Sequence, residues 1–433
     1  MKTPLRSLVV LALWLAMAGG AGAQVVNATL SATFTNPLPV ASRLFGYALA
    51  ADADRIMVGA YNNGSPMGAA YLYNLNGALV TTFTNPGAST GGKEGSSVAF
   101  VGSDKVLLGI VASSGQGAAY LFGTNGTRLI NFTNSSHTSF FGHSVAALGP
   151  DRVLIGADTS GLAHLFGTNG VLLTTFTSPA SPNNGFGFAV RAFGADKVLI
   201  GSYAGAFLMD TNGQLITAFT NPAAYPFGVA VASLGADKVL IGSYSHGAYI
   251  YATNGTLLTA FTNPFPPVNA EFGSSLAAVG FDKILVGAAQ SDVGGTGSGA
   301  AFLFSTNGTH LTTFTNPSPA FGDQFGNAIA VLGTDKMLLG ADYDTVGGVY
   351  AGAVYLFTLS APPLNVERLA GGNVRFFWPL PATGLVLEQT TALTPPPSTN
   401  IWSQVPFPYQ TNATEISVTV TPAGNQFYRL RQP

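Results

Sequence analysis

Seven positions recur directly after a short apolar run that ends in Gly-Ala, Gly-Ser or, once, Gly-Ile. They are Tyr61, Val111, Asp158, Tyr203, Tyr244, Ala289 and Asp342. Phenols and carboxylates in such places offer aromatic faces and hydrogen-bond acceptors, the chemistry of recognition. Neighbouring segments add Glu94, His246, Glu271, Asp292, Asp323 and Asp344. Tyr61, Asp158, Tyr203, Tyr244, His246 and Asp342 are the candidate binding residues; solvated loop ends or packing are the plainer reading of the same positions. Asp323, Asp342 and Asp344 lie close in sequence and could hold a divalent cation. No His and no fixed ligand spacing accompanies them, which suits an exposed acidic patch.

Catalytic chemistry finds less support. The chain has no Cys, so thiol nucleophiles and thiolate metal sites are excluded. His137, His143, His164, His246 and His310 are scattered, with no His-x-x-x-His pair. Gly87-Ala88-Ser89-Thr90-Gly91 has the Gly-x-Ser-x-Gly spacing, but no helix-forming run follows it to build a nucleophile elbow. A Ser-His-Asp triad assembled by folding stays open, because its members need not be close in sequence. No catalytic residue and no cofactor is expected.

Composition narrows the class further. The 433 residues are 47% hydrophobic and 8% charged, with 54 Gly, so a packed fold is favoured over disorder. Gly, Thr, Asn, Val and Phe dominate, which favours strands joined by tight turns. A formal net charge of -2 without a basic patch argues against nucleic acid. Lys2 and Arg6 precede the apolar run Leu8 to Met17, and Ala21-Gly22-Ala23 follows as a small-x-small cleavage site. That order is the signature of a secretory signal over residues 1–23. Secretion or periplasmic residence, with a mature chain starting at Gln24, is the expectation. No later run is long and apolar enough for a membrane span.

The elements that position the candidate residues are repeats. The unit from Phe272 shows the order: Phe272-Gly273, a small apolar run through Gly280, then Asp282-Lys283-Ile284-Leu285-Val286-Gly287-Ala288. After a Gly-rich loop come Ala300 to Phe304, the turn Asn307-Gly308, and Leu311 to Pro317. The order recurs along residues 45–357 at the spacing of propeller blades. Each unit holds four short strands, termed a to d. Strand a is rich in Ala, Ser and Gly, as suits an innermost strand. Asp54, Asp104, Asp151, Asp196, Asp237, Asp282 and Asp335 mark the a–b turns, and six Asn-Gly pairs mark the c–d turns. Asn-Gly suits a type I′ hairpin turn, with positive φ at both residues. The last unit stops after strand c, whereas Thr29 to Pro37 reads as a strand d with nothing before it. Residues 29–36 are therefore expected to complete the seventh unit, which closes a seven-bladed β-propeller over residues 24–360. Since strands alternate direction, a–b and c–d turns share one face. The variable b–c and d–a loops, with the candidate residues, share the other.

The Phe-Gly start with a mid-unit Gly-Ala resembles FG-GAP repeats, the units of integrin α-chain propellers and of many exported bacterial proteins. Phe45-Gly46 with Gly59-Ala60, Phe141-Gly142 with Gly156-Ala157, Phe272-Gly273 with Gly287-Ala288, and Phe325-Gly326 with Gly340-Ala341 carry it. The second unit departs, with Glu94-Gly95 and Gly109-Ile110. Integrin-type blades bind calcium through Asp-x-Asp-x-Asp-Gly loops, and none occurs here; Asp52 and Asp54 are the nearest trace.

Beyond the break Leu359 to Leu364, Trp378 and Trp402 mark a change of composition. Alternating runs at Asn373–Trp378, Leu385–Gln389, Glu415–Val420 and Phe427–Arg431 suggest a small β-sandwich over residues 364–433. Gly384 to Gln389 and Asn425 to Leu430 resemble a fibronectin-III-like terminal module of exported bacterial proteins. The fold class is thus all-β. The reading is a monomeric, exported, non-enzymatic scaffold for an unknown protein or glycan ligand. A lectin-like propeller and a polysaccharide hydrolase or lyase are the alternatives.

Overall fold

The computed structural model describes residues 26, 28–38, 44–61, 68–84, 92–112, 117–133, 140–180, 184–244, 247–265, 270–346, 348–360, 363–379, 385–391, 402–406, 408–412, 414–422 and 426–431. The expected signal segment lies outside them. The described chain is all-β, with three short 3-10 turns and no α-helix. No described helix is long and apolar enough to cross a membrane.

Among the described residues, seven four-stranded antiparallel sheets occupy 28–359, an arrangement that fits a β-propeller. Six are built from consecutive strands, such as Phe272–Val279, Lys283–Ala288, Ala300–Ser305 and His310–Thr315. In the remaining sheet, Ala28–Thr35 pairs antiparallel with Ala353–Leu359, outside Lys336–Ala341 and Ile329–Leu332.

Burial explains the strand compositions. Strand b, as in Arg55–Ala60, is buried on both faces after its first residue, so it reads as an unbroken apolar run. Strand d, as in Leu79–Phe83, is exposed apart from a half-buried Thr81 and its buried final Phe. Those terminal Phe side chains stitch sheets together edge to face. Phe83 meets Phe122 at 5.6 Å between ring centroids, Phe261 meets Phe304 at 5.4 Å and Phe314 meets Phe357 at 5.2 Å. Phe34 meets Tyr73 in the same way at 5.3 Å.

The two glycines of the repeat have one steric explanation. An ideal Cβ on Gly201 would stand 2.0 Å from the carbonyl oxygen of Gly228 in the next unit. The same contact recurs from Gly59 to Gly95, Gly109 to Gly142, Gly156 to Gly187, Gly242 to Gly273 and Gly287 to Gly326. Gly340 makes it with Gly46. The partner in the Phe-Gly pair has positive φ, for example 105° at Gly228, which L side chains rarely adopt.

The c–d hairpins differ from the expected type I′ turn. Positive φ is confined to the Gly, as with 88° at Gly126, and no Asn shares it. Gly126 N–H bonds Gly123 O at 2.9 Å and Gly123 N–H bonds Thr127 O at 2.8 Å, which is a type I turn followed by a left-handed Gly in a bulge. Asn125 is needed for another reason: its Oδ1 accepts the Thr127 N–H at 3.0 Å. The a–b and c–d turns share a face, since Thr124 N–H donates to Asp104 O at 2.9 Å. Most Asp-Lys pairs there, such as Asp104 with Lys105 at 2.8 Å, are solvent-exposed and contribute little to stability.

In the C-terminal segment, Asn365–Arg368, Val374–Pro379, Glu415–Val420 and Gln410–Thr411 form one sheet. Val386–Thr390, Phe427–Arg431 and Ser403–Gln404 form a second. The sheets share a core of Phe376, Trp378, Leu387, Val405, Ile416 and Val418. The three shortest or most exposed strands were not anticipated, because none shows a clear alternation of apolar residues.

Adding a methyl group where a carbonyl already sits forces the two sheets apart. Gly201→Ala is expected to lower stability by at least about 2 kcal/mol, read as a lower urea midpoint at unchanged slope.

Candidate functional site

The Phe-Gly pair is the centre of a tight turn, and in most units the residue after it lines a common cavity. In five units the N–H of the residue after Gly bonds the carbonyl of the residue before Phe, as from His143 to Phe140 at 2.9 Å and from Asn327 to Gln324 at 3.0 Å. The residue before Phe has positive φ even where it is not Gly: Leu44, Phe140, Glu271 and Gln324. Such backbone costs about 1–2 kcal/mol per residue, so the packing around the turns must impose it. The Phe itself is buried, at 0% exposure for Phe45 and Phe325.

Residues after the Phe-Gly or equivalent pair converge on one cavity of about 200 Å³. Ser96, His143, Phe188, Val229, Ser274 and Asn327 line it, with neighbours from the a strand of each of the seven sheets. Tyr47 holds the equivalent place in the first unit and stacks on Tyr61, with centroids 4.5 Å apart and planes at 16°. Around this mouth stand most of the residues chosen from sequence. Tyr47 interacts electrostatically with Tyr61, Asp342, Tyr244 and Tyr343. Tyr244 in turn senses Glu271 and Tyr203, and Tyr203 senses Asp158. Phe188 bridges His143 and Tyr203, at 4.7 and 5.2 Å between centroids. Gly185 precedes Phe186 because a Cβ there would meet the Tyr203 ring at 2.8 Å.

Tyr61, Asp158, Tyr203, Tyr244 and Asp342 therefore belong to one electrostatic neighbourhood. Val111 and Ala289 are buried apolar wall. His246 and the side chain of Glu94 lie outside the described residues. Asp292 serves its own loop, accepting the Gly297 N–H at 2.7 Å. Tyr47, His143, Phe188, Asn327 and Tyr343 escaped the sequence reading. Four of them follow a Phe-Gly pair, so the repeat register held the signal.

Burial dominates the electrostatics. Asp342 is 1% exposed, its Oδ1 has no hydrogen-bond partner, and desolvation pushes its pKa up to about 7 despite a hydrogen bond from Asn327. Burial also raises Glu271. His143 Nδ1 stands 3.9 Å from Asp158 Oδ2. Burial lowers the His143 pKa and raises that of Asp158, so both are drawn toward their neutral forms.

The acidic patch expected at Asp323, Asp342 and Asp344 is not exposed; each is 1% accessible. Asn316 Nδ2 donates to Asp323 Oδ2 and Asp344 Oδ2, both at 2.8 Å, and Tyr355 Oη donates to Asp344 Oδ2 at 2.7 Å. Asp323 and Asp344 thus brace a loop, whereas Asp342 belongs to the mouth. Desolvation pushes Asp323 up to about 6. Among the described residues no group of three or more His, Cys, Asp or Glu could hold a metal ion.

Comparison with known families matches residues 312–357 to the FG-GAP repeat. The match runs from the outer strand of one sheet through strand c of the next unit. The comparison with curated proteins gave no match.

Asp342 makes stability depend on pH. The folded chain keeps it protonated up to about pH 7, whereas an unfolded Asp ionises near about 4. Between those values the folded chain binds more protons, so stability falls as pH rises. Asp342→Asn is expected to flatten that fall, with an advantage over the parent on the order of a few kcal/mol above neutrality and almost none near pH 4. Thermal melts of both proteins across this range check it.

Proposed function

We propose that the chain is a closed, seven-bladed FG-GAP-type propeller that works as an exported, non-enzymatic binding scaffold. Its ligand, a protein or a glycan, engages the mouth framed by the Phe-Gly turns. The observation that carries this reading is the mouth itself: aromatic faces and buried carboxylates converge there, held by strained backbone. Closure is supported by the Gly340–Gly46 contact, the Phe34–Tyr73 contact and cavities lined from every sheet of the repeat region. Export rests on the leader-like residues 1–23 alone. The two-sheet C-terminal segment, read as fibronectin-III-like, would be an accessory module.

A glycan ligand draws specific support from the stacked Tyr47–Tyr61 pair, a flat platform beside carboxylate acceptors. A hydrolase or lyase draws on Asp342 and Glu271, two neighbouring carboxyls with raised pKa values. Turnover of a polysaccharide that Asp342→Asn abolishes would favour it.

Two experiments test the main reading. Replacing Tyr203, Tyr244 and Asp342 together by Ala is expected to abolish ligand capture, both from an exoproteome pull-down and on a glycan array; undiminished capture discards the mouth as the site. For closure, Phe34→Ala is expected to cost about 3–5 kcal/mol, as much as Phe83→Ala. A Phe34 variant that melts with the parent leaves the first strand outside the cooperative unit.

A further inference from the structure

A second cavity of about 810 Å³ lies toward the a–b turns, again lined from the a strands of all seven sheets. Register with the b strands identifies the equivalent rung of each a strand. Ala50 pairs Met57, Ala99 pairs Leu107, Ala146 pairs Leu154, Ala232 pairs Leu240, Ala277 pairs Leu285 and Ala330 pairs Leu338. In the fourth unit the residue on this rung, opposite Leu199, is Arg191. Six alanines and one arginine therefore line the cavity at one level.

Arg191 lines both this cavity and the smaller one below the mouth. Its side chain is exposed to the channel, and desolvation by the surrounding strands lowers its pKa. Among the described residues no carboxylate pairs with it; its hydrogen bond is a weak one, from Nη1 to Val190 O at 3.4 Å. The acidic residue lining the same cavity, Asp52, is engaged at the rim by Arg55 at 2.6 Å. A guanidinium in a channel without a counter-charge keeps donors free, and its five N–H groups suit the oxygens of an oxyanion in a bidentate pair. The a strands are sheet edges, so backbone N–H and C=O groups alternate along the channel, and Arg191 supplies the cationic donor.

We propose that the channel is an anion site in which Arg191 captures a small oxyanion, either a tetrahedral one such as phosphate or sulfate or a free carboxylate. The six alanines leave the space, and the single arginine supplies the charge.

Equilibrium dialysis of the full chain against radiolabelled inorganic phosphate tests this. The parent is expected to retain about one phosphate per chain, and Arg191→Ala, which completes the alanine rung, to bind at least about tenfold more weakly. Arg191→Gln keeps the side-chain length without the charge and is expected to lose retention equally, so the test survives if the alanine variant folds poorly. Displacement by sulfate identifies the tetrahedral anion as the better occupant, and stronger displacement by acetate the carboxylate. Absence of retention by the parent at millimolar phosphate, or equal retention by folded Arg191→Gln, overturns the proposal.

Discussion

The closest approach between successive units is backbone to backbone, where a strand-b glycine lies against the carbonyl of the next Phe-Gly glycine. At 1.9–2.2 Å from a would-be Cβ, the carbonyl leaves room for hydrogen alone. The contact sets how near the sheets stand close to the axis. It also dictates the tight turn that follows, because the second glycine needs a left-handed backbone to present that carbonyl. Farther out the spacing is filled by large groups, the strand-d Phe against the aromatic of the next strand c. Small residues inside and aromatics outside make each pair of sheets a wedge, and repeated wedges turn the chain about an axis.

The same constraint produces the mouth. Once the Phe-Gly turn is held in place, the residue after it must point toward the cavity, whatever its type. Tyr47, His143, Phe188, Asn327 and the smaller residues at the other equivalents are thus free to vary without disturbing the wedge. Scaffold and cavity lining are separated within a few residues: Phe and Gly belong to packing, and the next side chain to the cavity. The raised Asp342 and Glu271 follow from placing carboxyls where the turns exclude water.

The strands were legible because one period carried three independent signals: apolar runs, turn residues and paired glycines. The outer strand near residue 30 was legible for the same reason, and it lies hydrogen-bonded to Ala353–Leu359. Burial of polar groups was not legible. Asp323 and Asp344 look like loop acids in sequence, yet Asn316 from a preceding strand end holds both inside. Turn type was misjudged because Asn-Gly supports two hairpin geometries, and only the hydrogen-bond pattern separates a two-residue turn from a three-residue loop with a bulge. Arg191 went unnoticed because its meaning lies in the six alanines that share its rung, visible only once the strands are in register.

The mouth and the channel below it differ in how their charge is held. At the mouth, Asp158, Glu271 and Asp342 are acids that burial draws toward neutrality, so they accept and donate hydrogen bonds without imposing full charge. Deeper, Arg191 keeps its proton at any ordinary pH, although desolvation lowers its pKa. Charge at the mouth can therefore be adjusted by a few pH units, whereas the charge in the channel is permanent. A ligand entering past the Phe-Gly turns would meet first a surface whose charge responds to its surroundings and then a cation that does not. On the proposal of an anion site, that order favours molecules with an anionic group at the leading end and uncharged polar groups behind it.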